Sequence, residues 1–185
     1  MIFNNMSKHS NTGFGMIETI VAIGILTVAV SAAISLASRG IISSIIAREE
    51  ITAFYLGIEA VEAVRNQRDE NILSGASSWI DGFSPSCTNL SRGCKVELNL
   101  GEPDFSNCPA QPQGCPFLNY DEDKNIYRYG GAGPSITTTT FKRTIYLEEV
   151  EIGRELRIIV EVEWQAGPFV QPPIIIEERL FNWSG

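Results

Sequence analysis

An apolar stretch near the N-terminus decides the fold: residues 12–30 read TGFGMIETIVAIGILTVAV and carry one charged side chain, Glu18. The 20 residues from Thr19 to Ser38 contain neither a charge nor a proline. As an α-helix rising about 1.5 Å per residue, they extend about 30 Å, the thickness of the hydrocarbon core of a bilayer. The stretch therefore predicts a membrane-spanning helix.

Two other readings of this stretch fit the residues less well. A cleaved secretory signal has a shorter apolar region that ends in small residues, and Ala37-Ser38-Arg39 is a weak match to such a cleavage site. A buried helix of a soluble domain rarely runs so far without a charge. Lys8 and His9 precede the run while Arg39 and Arg48 follow it, so charge counting leaves the orientation open.

Composition excludes several classes of protein. The chain has 185 residues, with 14 Lys and Arg against 22 Asp and Glu, a net charge of −8. No segment is basic enough to follow a phosphate backbone, so nucleic-acid binding is not expected. The single histidine, His9, leaves the rest of the chain without an imidazole base or zinc ligand. We therefore expect no enzyme, no catalytic residue, no metal and no cofactor.

The residues Gly13-Phe-Gly-Met-Ile-Glu18, followed by the apolar run, resemble the class III leader of type IV pilins and pseudopilins. The resemblance covers Gly13 to about Ser38. It implies that a prepilin peptidase cuts between Gly13 and Phe14 and that the new N-terminal Phe14 is N-methylated. Residues 1–13 would then be a leader. Translation from Met6 instead of Met1 would shorten it, and the sequence leaves both starts open.

Glu18 is the residue on which this interpretation depends. A carboxylate in hydrocarbon costs a few kcal/mol, so such a residue is functional by default and needs a partner. The resemblance implies that its partner is the free amine of Phe14, on the same or a neighbouring subunit, which would set the axial register of stacked subunits. The alternative is that Glu18 lies among lipid headgroups.

Beyond Arg39 an apolar stripe predicts that the helix continues and packs on a domain. The stripe recurs at spacings of three and four and comprises Ile51, Phe54, Tyr55, Ile58, Val61 and Val64. The sequence thus divides into a transmembrane half of the helix at 14–38 and an amphipathic half at 39–72. A loop-rich part with room for one hairpin follows at 73–134, and a β-meander at 135–185.

Four cysteines form two pairs of identical spacing, Cys87 with Cys94 and Cys108 with Cys115. Two local disulfides are the simplest interpretation, because bridges outside the cytoplasm would stabilise segments with little apolar surface. Four cysteines allow three pairings, and a four-thiolate zinc site is the rival, although zinc ligands within a pair usually lie closer in sequence.

Asp121-Glu-Asp-Lys-Asn125 places oxygen side chains at alternate positions, as calcium loops do. The sixth and twelfth positions of such a loop hold Ile126 and Ala132 instead of Gly and Glu. A solvated acidic turn is therefore the better interpretation.

The C-terminal third predicts strands over Thr137–Val150, over Leu156–Trp164 and from Ile174 to Trp183. The second alternates cleanly between apolar and polar residues, whereas Arg143 interrupts the apolar face of the first. Short connections favour an antiparallel meander. The predicted class is α+β, a long N-terminal helix packed on a small antiparallel sheet, which is also what the pilin resemblance implies.

The expected function is that of a structural subunit, a minor pilin or a pseudopilin, in a type IV pilus or in a secretion or DNA-uptake pseudopilus. Many major pilins carry a helix-breaking proline midway along the transmembrane part of this helix. Here Ser35 stands near that place and no proline is present, which favours a minor pilin or a pseudopilin. The resemblance implies as partners the prepilin peptidase, other pilin or pseudopilin subunits, the inner-membrane assembly platform and the lipid bilayer. The alternative is a membrane-tethered extracytoplasmic binding module that never polymerises.

Overall fold

The predicted helix is present as α1, Met16–Ser74, in a computed structural model of the chain. The structure describes residues 13, 15–88, 90–98, 103–109 and 114–183. The chain divides into two compact units, residues 1–44 and residues 45–185, and every strand belongs to the second.

A glycine ends α1 close to the predicted end of the helix. Gly75 has a φ of 70°, which a residue with a side chain rarely adopts. Its N–H donates to Ile72 O, and the N–H of Ala76 donates to Asn71 O at 2.9 Å, the bonding pattern of a Schellman motif. The buried Asn71 amide then donates to the carbonyls of Trp79 and Asp81. These bonds fix the direction in which the chain leaves the helix.

Seven strands form one antiparallel sheet, and a separate two-residue pair, β7 (Gln165–Ala166) with β8 (Phe169–Val170), lies between two of them in sequence. The sheet strands are β1 (Cys94–Leu98), β2 (Pro103–Asn107), β3 (Phe117–Asp121), β4 (Ile126–Arg128), β5 (Ile136–Glu151), β6 (Glu155–Glu163) and β9 (Ile174–Phe181). The long strand β5 is central: β6 pairs with one side, while β3 and β1 pair with the other. The structure thus confirms the predicted α+β class.

The predicted meander is present as β5, β6 and β9, paired in that order. The loop-rich part holds more regular structure than expected, because it forms two hairpins, β1 with β2 and β3 with β4. The alternation in β6 is confirmed: Leu156, Ile158, Val160 and Val162 are buried in the core.

The face that α1 buries within residues 45–74 differs from the predicted stripe. Val61 and Val64 of the predicted stripe are buried and Ile58 is half-buried, but Ile51, Phe54 and Tyr55 are exposed. The other core positions of this helical face are Ala53, Leu56, Gly57, Ala60 and Ala63. The reason is the close approach of helix and sheet, since a Cβ built on Gly57 would lie 2.5 Å from Ile176 Cδ1. Large side chains do not fit beside Gly57, so the apolar pattern is correct for Val61 and Val64 but wrong for Ile51, Phe54 and Tyr55.

Arg143, which interrupted the apolar pattern of β5, lies in the core with 2% of its surface exposed. Its Nη1 donates to Leu56 O at 2.9 Å and to the Glu59 carboxylate at 2.7 Å, both in α1. Its Nη2 donates to Val96 O in β1 at 3.1 Å. A buried guanidinium is costly unless paired and hydrogen-bonded, and here one side chain connects β5 to α1 and β1.

The backbone of Arg143 is bonded as well. On that side of β5, pairing with β3 ends at Lys142 and pairing with β1 begins at Ile145. The hydroxyl of the buried Tyr129 donates to Arg143 O at 3.1 Å within this gap. A side chain thus replaces a strand partner where the ladder is interrupted.

Truncation of Arg143 should destabilise the second unit strongly. We expect Arg143→Ala to lower the free energy of unfolding by about 3 kcal/mol, because it opens a cavity and removes three hydrogen bonds. Arg143→Met should lower it by about 1 kcal/mol, because the methionine side chain fills most of the space. Urea unfolding followed by near-UV circular dichroism measures both. The control is Arg154→Ala, which removes a 76% exposed side chain that pairs with Glu151 and should change stability by less than about 0.5 kcal/mol. Equal losses of stability in Arg143→Ala and Arg154→Ala would show that the buried Arg143 side chain does not stabilise the second unit.

Candidate membrane and assembly segment

The first half of α1 is apolar, and its described side chains are exposed. It contains one stretch long and apolar enough to cross a membrane, and none of that stretch is buried. Large side chains stand open along it, among them Ile17 at 77% and Leu36 at 74% exposure. An apolar surface of this extent in a folded protein indicates a lipid or protein contact.

The hydroxyl groups of this segment are already satisfied. Each one donates to a backbone carbonyl of the preceding turn, at distances between 2.7 and 2.9 Å: Thr19 to Met16, Thr27 to Gly24, Ser31 to Thr27, Ser35 to Ser31 and Ser38 to Ile34. A hydroxyl bonded in this way leaves no donor that water would have to satisfy. The segment can therefore be transferred to an apolar environment at low polar cost.

Glu18 lies in the first turn of α1 and is exposed. Its N–H donates to Gly15 O at 3.0 Å, and its carboxylate makes no hydrogen bond or ion pair with the residues that the structure describes. A carboxylate in the first turn is stabilised by the positive end of the helix dipole. Gly13 is exposed, and Phe14 and residues 1–12, with both candidate start residues, lie outside the described residues.

The structure joins the cysteines in the pairs that the spacing indicated, Cys87 with Cys94 and Cys108 with Cys115. All four sulfur atoms are thereby used in disulfides, not in a four-thiolate centre. Cys87 and Cys94 belong to the hydrophobic core. Leu147 in β5 also donates its N–H to Cys87 O at 2.8 Å, so the first bridge fixes its loop to the central strand.

The acidic segment 121–125 forms the turn between β3 and β4. Asp121 is buried and accepts bonds from Lys124 N at 3.2 Å and from Arg128 Nη1 at 3.4 Å. Asn125 has a φ of 56°, and its side chain bonds the Tyr120 hydroxyl. The side chains of Asp121 and Asn125 therefore stabilise the hairpin. Across the described residues no group of three or more His, Cys, Asp or Glu is placed to hold a metal ion.

Three tyrosines that no sequence pattern connects line one groove, Tyr55 of α1, Tyr120 of β3 and Tyr127 of β4. Tyr120 and Tyr127 are directly opposed across the hairpin. Their positions on either side of the acidic turn could have predicted that these two residues pair across the hairpin. Nothing in the sequence pointed to Tyr55, because its position in the supposed core stripe predicted burial.

Three aromatic residues near the C-terminus, Trp164, Phe181 and Trp183, differ in burial. Trp164 is buried and donates from its indole nitrogen to Pro172 O at 3.1 Å. Phe181 and Trp183, by contrast, are both more than half exposed. Phe181 is the last residue of the edge strand β9, and Trp183 follows it. Within the described part of the chain, β9 pairs with β6 and with no other strand.

Comparison of the chain with protein-family models, curated proteins and solved structures finds no match. The pilin resemblance therefore rests on the residues from Gly13 to Ser38.

The two disulfides should contribute unequally although their loops are equal in length. Each spans a separation of seven residues, so loop closure contributes the same amount, about 2.5 kcal/mol, in both. All four cysteines are buried, but only Cys87 and Cys94 pack in the main hydrophobic cluster. We therefore expect Cys87→Ala with Cys94→Ala to lose at least about 1 kcal/mol more than Cys108→Ala with Cys115→Ala. Urea midpoints of the two double variants test this. Equal midpoints would show that the core position adds nothing.

Proposed function

We propose that the chain is a filament subunit of the prepilin type, a minor pilin or a pseudopilin. In this proposal a prepilin peptidase removes residues 1–13, Phe14 becomes the methylated N-terminus, and the apolar half of α1 first spans the cytoplasmic membrane and then packs among other subunits. We assign no catalytic role to any residue.

The single observation that carries this proposal is the uncovered apolar segment with an acid in its first turn. A plain membrane anchor needs the apolar residues but has no use for a carboxylate at Glu18. A subunit that leaves the bilayer for a filament needs a group that recognises its neighbour, and an acid beside a free amine supplies one. The exposure of Gly13 supports access by a peptidase.

The second unit fits an extracytoplasmic location. Both cysteine pairs are oxidised, which is typical of proteins outside the reducing cytoplasm. We infer that residues 45–185 lie on the far side of the cytoplasmic membrane before assembly and on a cell-surface or periplasmic filament afterwards. The partners are then the peptidase, other pilin or pseudopilin subunits, the inner-membrane assembly platform and the bilayer.

Processing should depend on Gly13. We expect Gly13→Val to retain the leader in cells that make prepilin peptidase, whereas the parent chain loses 13 residues and begins with N-methylated Phe14. Mass spectrometry of the purified chain measures both events. The variant is informative because Gly13 is exposed and a Cβ built there meets no atom within 4 Å, so a failure to be cut is not a failure to fold.

Gly24→Ala is the matched control for Gly13→Val. Gly24 also has open space around it but lies inside the apolar run, so this variant should be processed normally. A parent chain that keeps residues 1–13 in the presence of an active peptidase would refute the proposal and favour the tethered binding module.

Neutralisation of Glu18 should separate insertion from assembly. We expect Glu18→Ala to enter the membrane and to be processed, but to be depleted at least tenfold from sheared fibres or, for a periplasmic filament, from crosslinks to neighbouring subunits. A tenfold loss corresponds to about 1.4 kcal/mol, within the range of one paired charge near hydrocarbon. Glu50→Ala, which removes an exposed acid of α1 outside the apolar run, should assemble normally. Normal assembly of Glu18→Ala would exclude the register role.

A further inference from the structure

A groove with an aromatic lining lies within the second unit, between α1 and the β3–β4 hairpin. It encloses about 550 Å³. The lining comes from one helix face, Thr52, Tyr55, Leu56 and Glu59, and from the hairpin residues Tyr120, Asn125, Ile126 and Tyr127. We refer to it as the tyrosine groove. Such a volume accommodates a side chain or a small organic molecule.

Two of the three tyrosine rings are held in place without any ligand. Tyr120 and Tyr127 contact each other with ring centroids 5.1 Å apart. Tyr127 also packs edge-on against the buried Phe141 at 5.9 Å, and the Tyr120 hydroxyl bonds the Asn125 side chain. Rings fixed in this way need no ordering when a ligand arrives, which lowers the entropic cost of binding. Tyr55, 66% exposed and in edge-on contact with Phe54 at 6.1 Å, forms the third side.

Among the described residues, the charged side chain that lines the groove is acidic, Glu59. Glu59 lines the groove with one carboxylate oxygen bonded to Arg143, while the other oxygen has no partner among the described residues. In the part of the chain that the structure describes, no Lys or Arg side chain lines the groove, and Arg143 lies behind Glu59 with 2% exposure. An adjoining cavity that shares Tyr120 and Tyr127 adds Glu49 and Glu122. The cation that acts on the Tyr127 phenol, Arg48, does not line the groove, so an anionic ligand would lie beside Glu59 and the ring faces without direct contact to a described cation.

Electron-rich rings combined with a carboxylate attract organic cations. The face of a tyrosine ring carries negative charge and binds ammonium or guanidinium groups at its centre. Burial raises the pKa of the Tyr127 phenol, so this ring remains neutral at physiological pH. The groove therefore offers aromatic surface to the apolar carbons of such a ligand and negative potential to its charge.

We propose that the tyrosine groove binds a small organic cation, an alkylammonium or guanidinium group, between Tyr55, Tyr120 and Tyr127, with Glu59 as counter-charge. The role does not depend on whether the chain polymerises. The same chemistry occurs in free quaternary ammonium compounds and in lysine or arginine side chains, and the two sources are separated by the choice of probe.

The test is a titration of the full chain in maltoside micelles, with the tyrosine rings labelled with ¹³C and observed by NMR. The probes are choline, Nα-acetyl-lysine amide and Nα-acetyl-arginine amide, and the neutral isostere of choline, 3,3-dimethylbutan-1-ol, is the control. We expect at least one cation to shift Tyr55, Tyr120 and Tyr127 saturably, and the neutral isostere to bind at least tenfold more weakly. Tyr146, on another strand and outside the groove, serves as an internal reference.

Variants of Tyr55 decide whether the rings are responsible. We expect Tyr55→Leu to weaken binding of the cation about two- to fivefold, the effect of one exposed ring, while Tyr55→Phe keeps most of the affinity. Because Tyr55 is exposed, both variants should fold, and Phe169→Leu is a matched control at an exposed aromatic outside the groove. The proposal fails if none of the three cations produces a saturable shift, if the neutral isostere binds as well as choline, or if Tyr55→Leu binds like the parent chain.

Discussion

The second unit depends on one buried cation, Arg143. Its guanidinium is the point at which α1, β1 and β5 meet, and its carbonyl accepts the Tyr129 hydroxyl where the sheet ladder is interrupted. An apolar residue at this position would pack, but it would not determine which helical turn faces which strand. A fixed set of two carbonyls and one carboxylate does, because each acceptor has one place relative to the planar guanidinium. Arg143 thus specifies the registration of helix on sheet, where the buried face of the helix is rich in small side chains.

The small side chains are the other half of this constraint. Ala53, Gly57 and Ala60 let the helix approach so closely that a single methyl group at Gly57 would meet Ile176. Close approach is what allows Arg143 to reach the backbone carbonyl of Leu56 rather than only a side chain of the helix. The glycine that weakens the helix on its own is therefore required by the contact that holds the helix in place.

The sequence predicted the class, the helix, the C-terminal meander and both disulfides because each leaves a local signal: an uncharged run, a period of two, or repeated spacing. The sequence did not predict which side chains are buried where that depends on how closely two elements approach. Ile51, Phe54 and Tyr55 have the residue types and spacing of a core stripe, yet Ala53, Leu56 and Gly57 hold the buried positions of this part of the helix. Arg143 read as a defect in a strand, since no local pattern shows that carbonyls from two other elements converge on it. The Tyr120–Tyr127 pair was predictable from the acidic turn, but the arrival of Tyr55 beside it required the same long-range packing.

The apolar half of α1 obeys a different rule from the second unit. From Met16 to Ser38 its backbone is helical and every hydroxyl donates to the preceding turn, so the segment has no polar group that requires a particular neighbour, except one. Exchange of lipid for protein around such a helix changes little energy per residue, since both surroundings are apolar. Glu18 is the exception, and its energy depends strongly on whether a cation lies within reach. Any preference of this segment for one apolar environment over another must therefore come largely from that carboxylate.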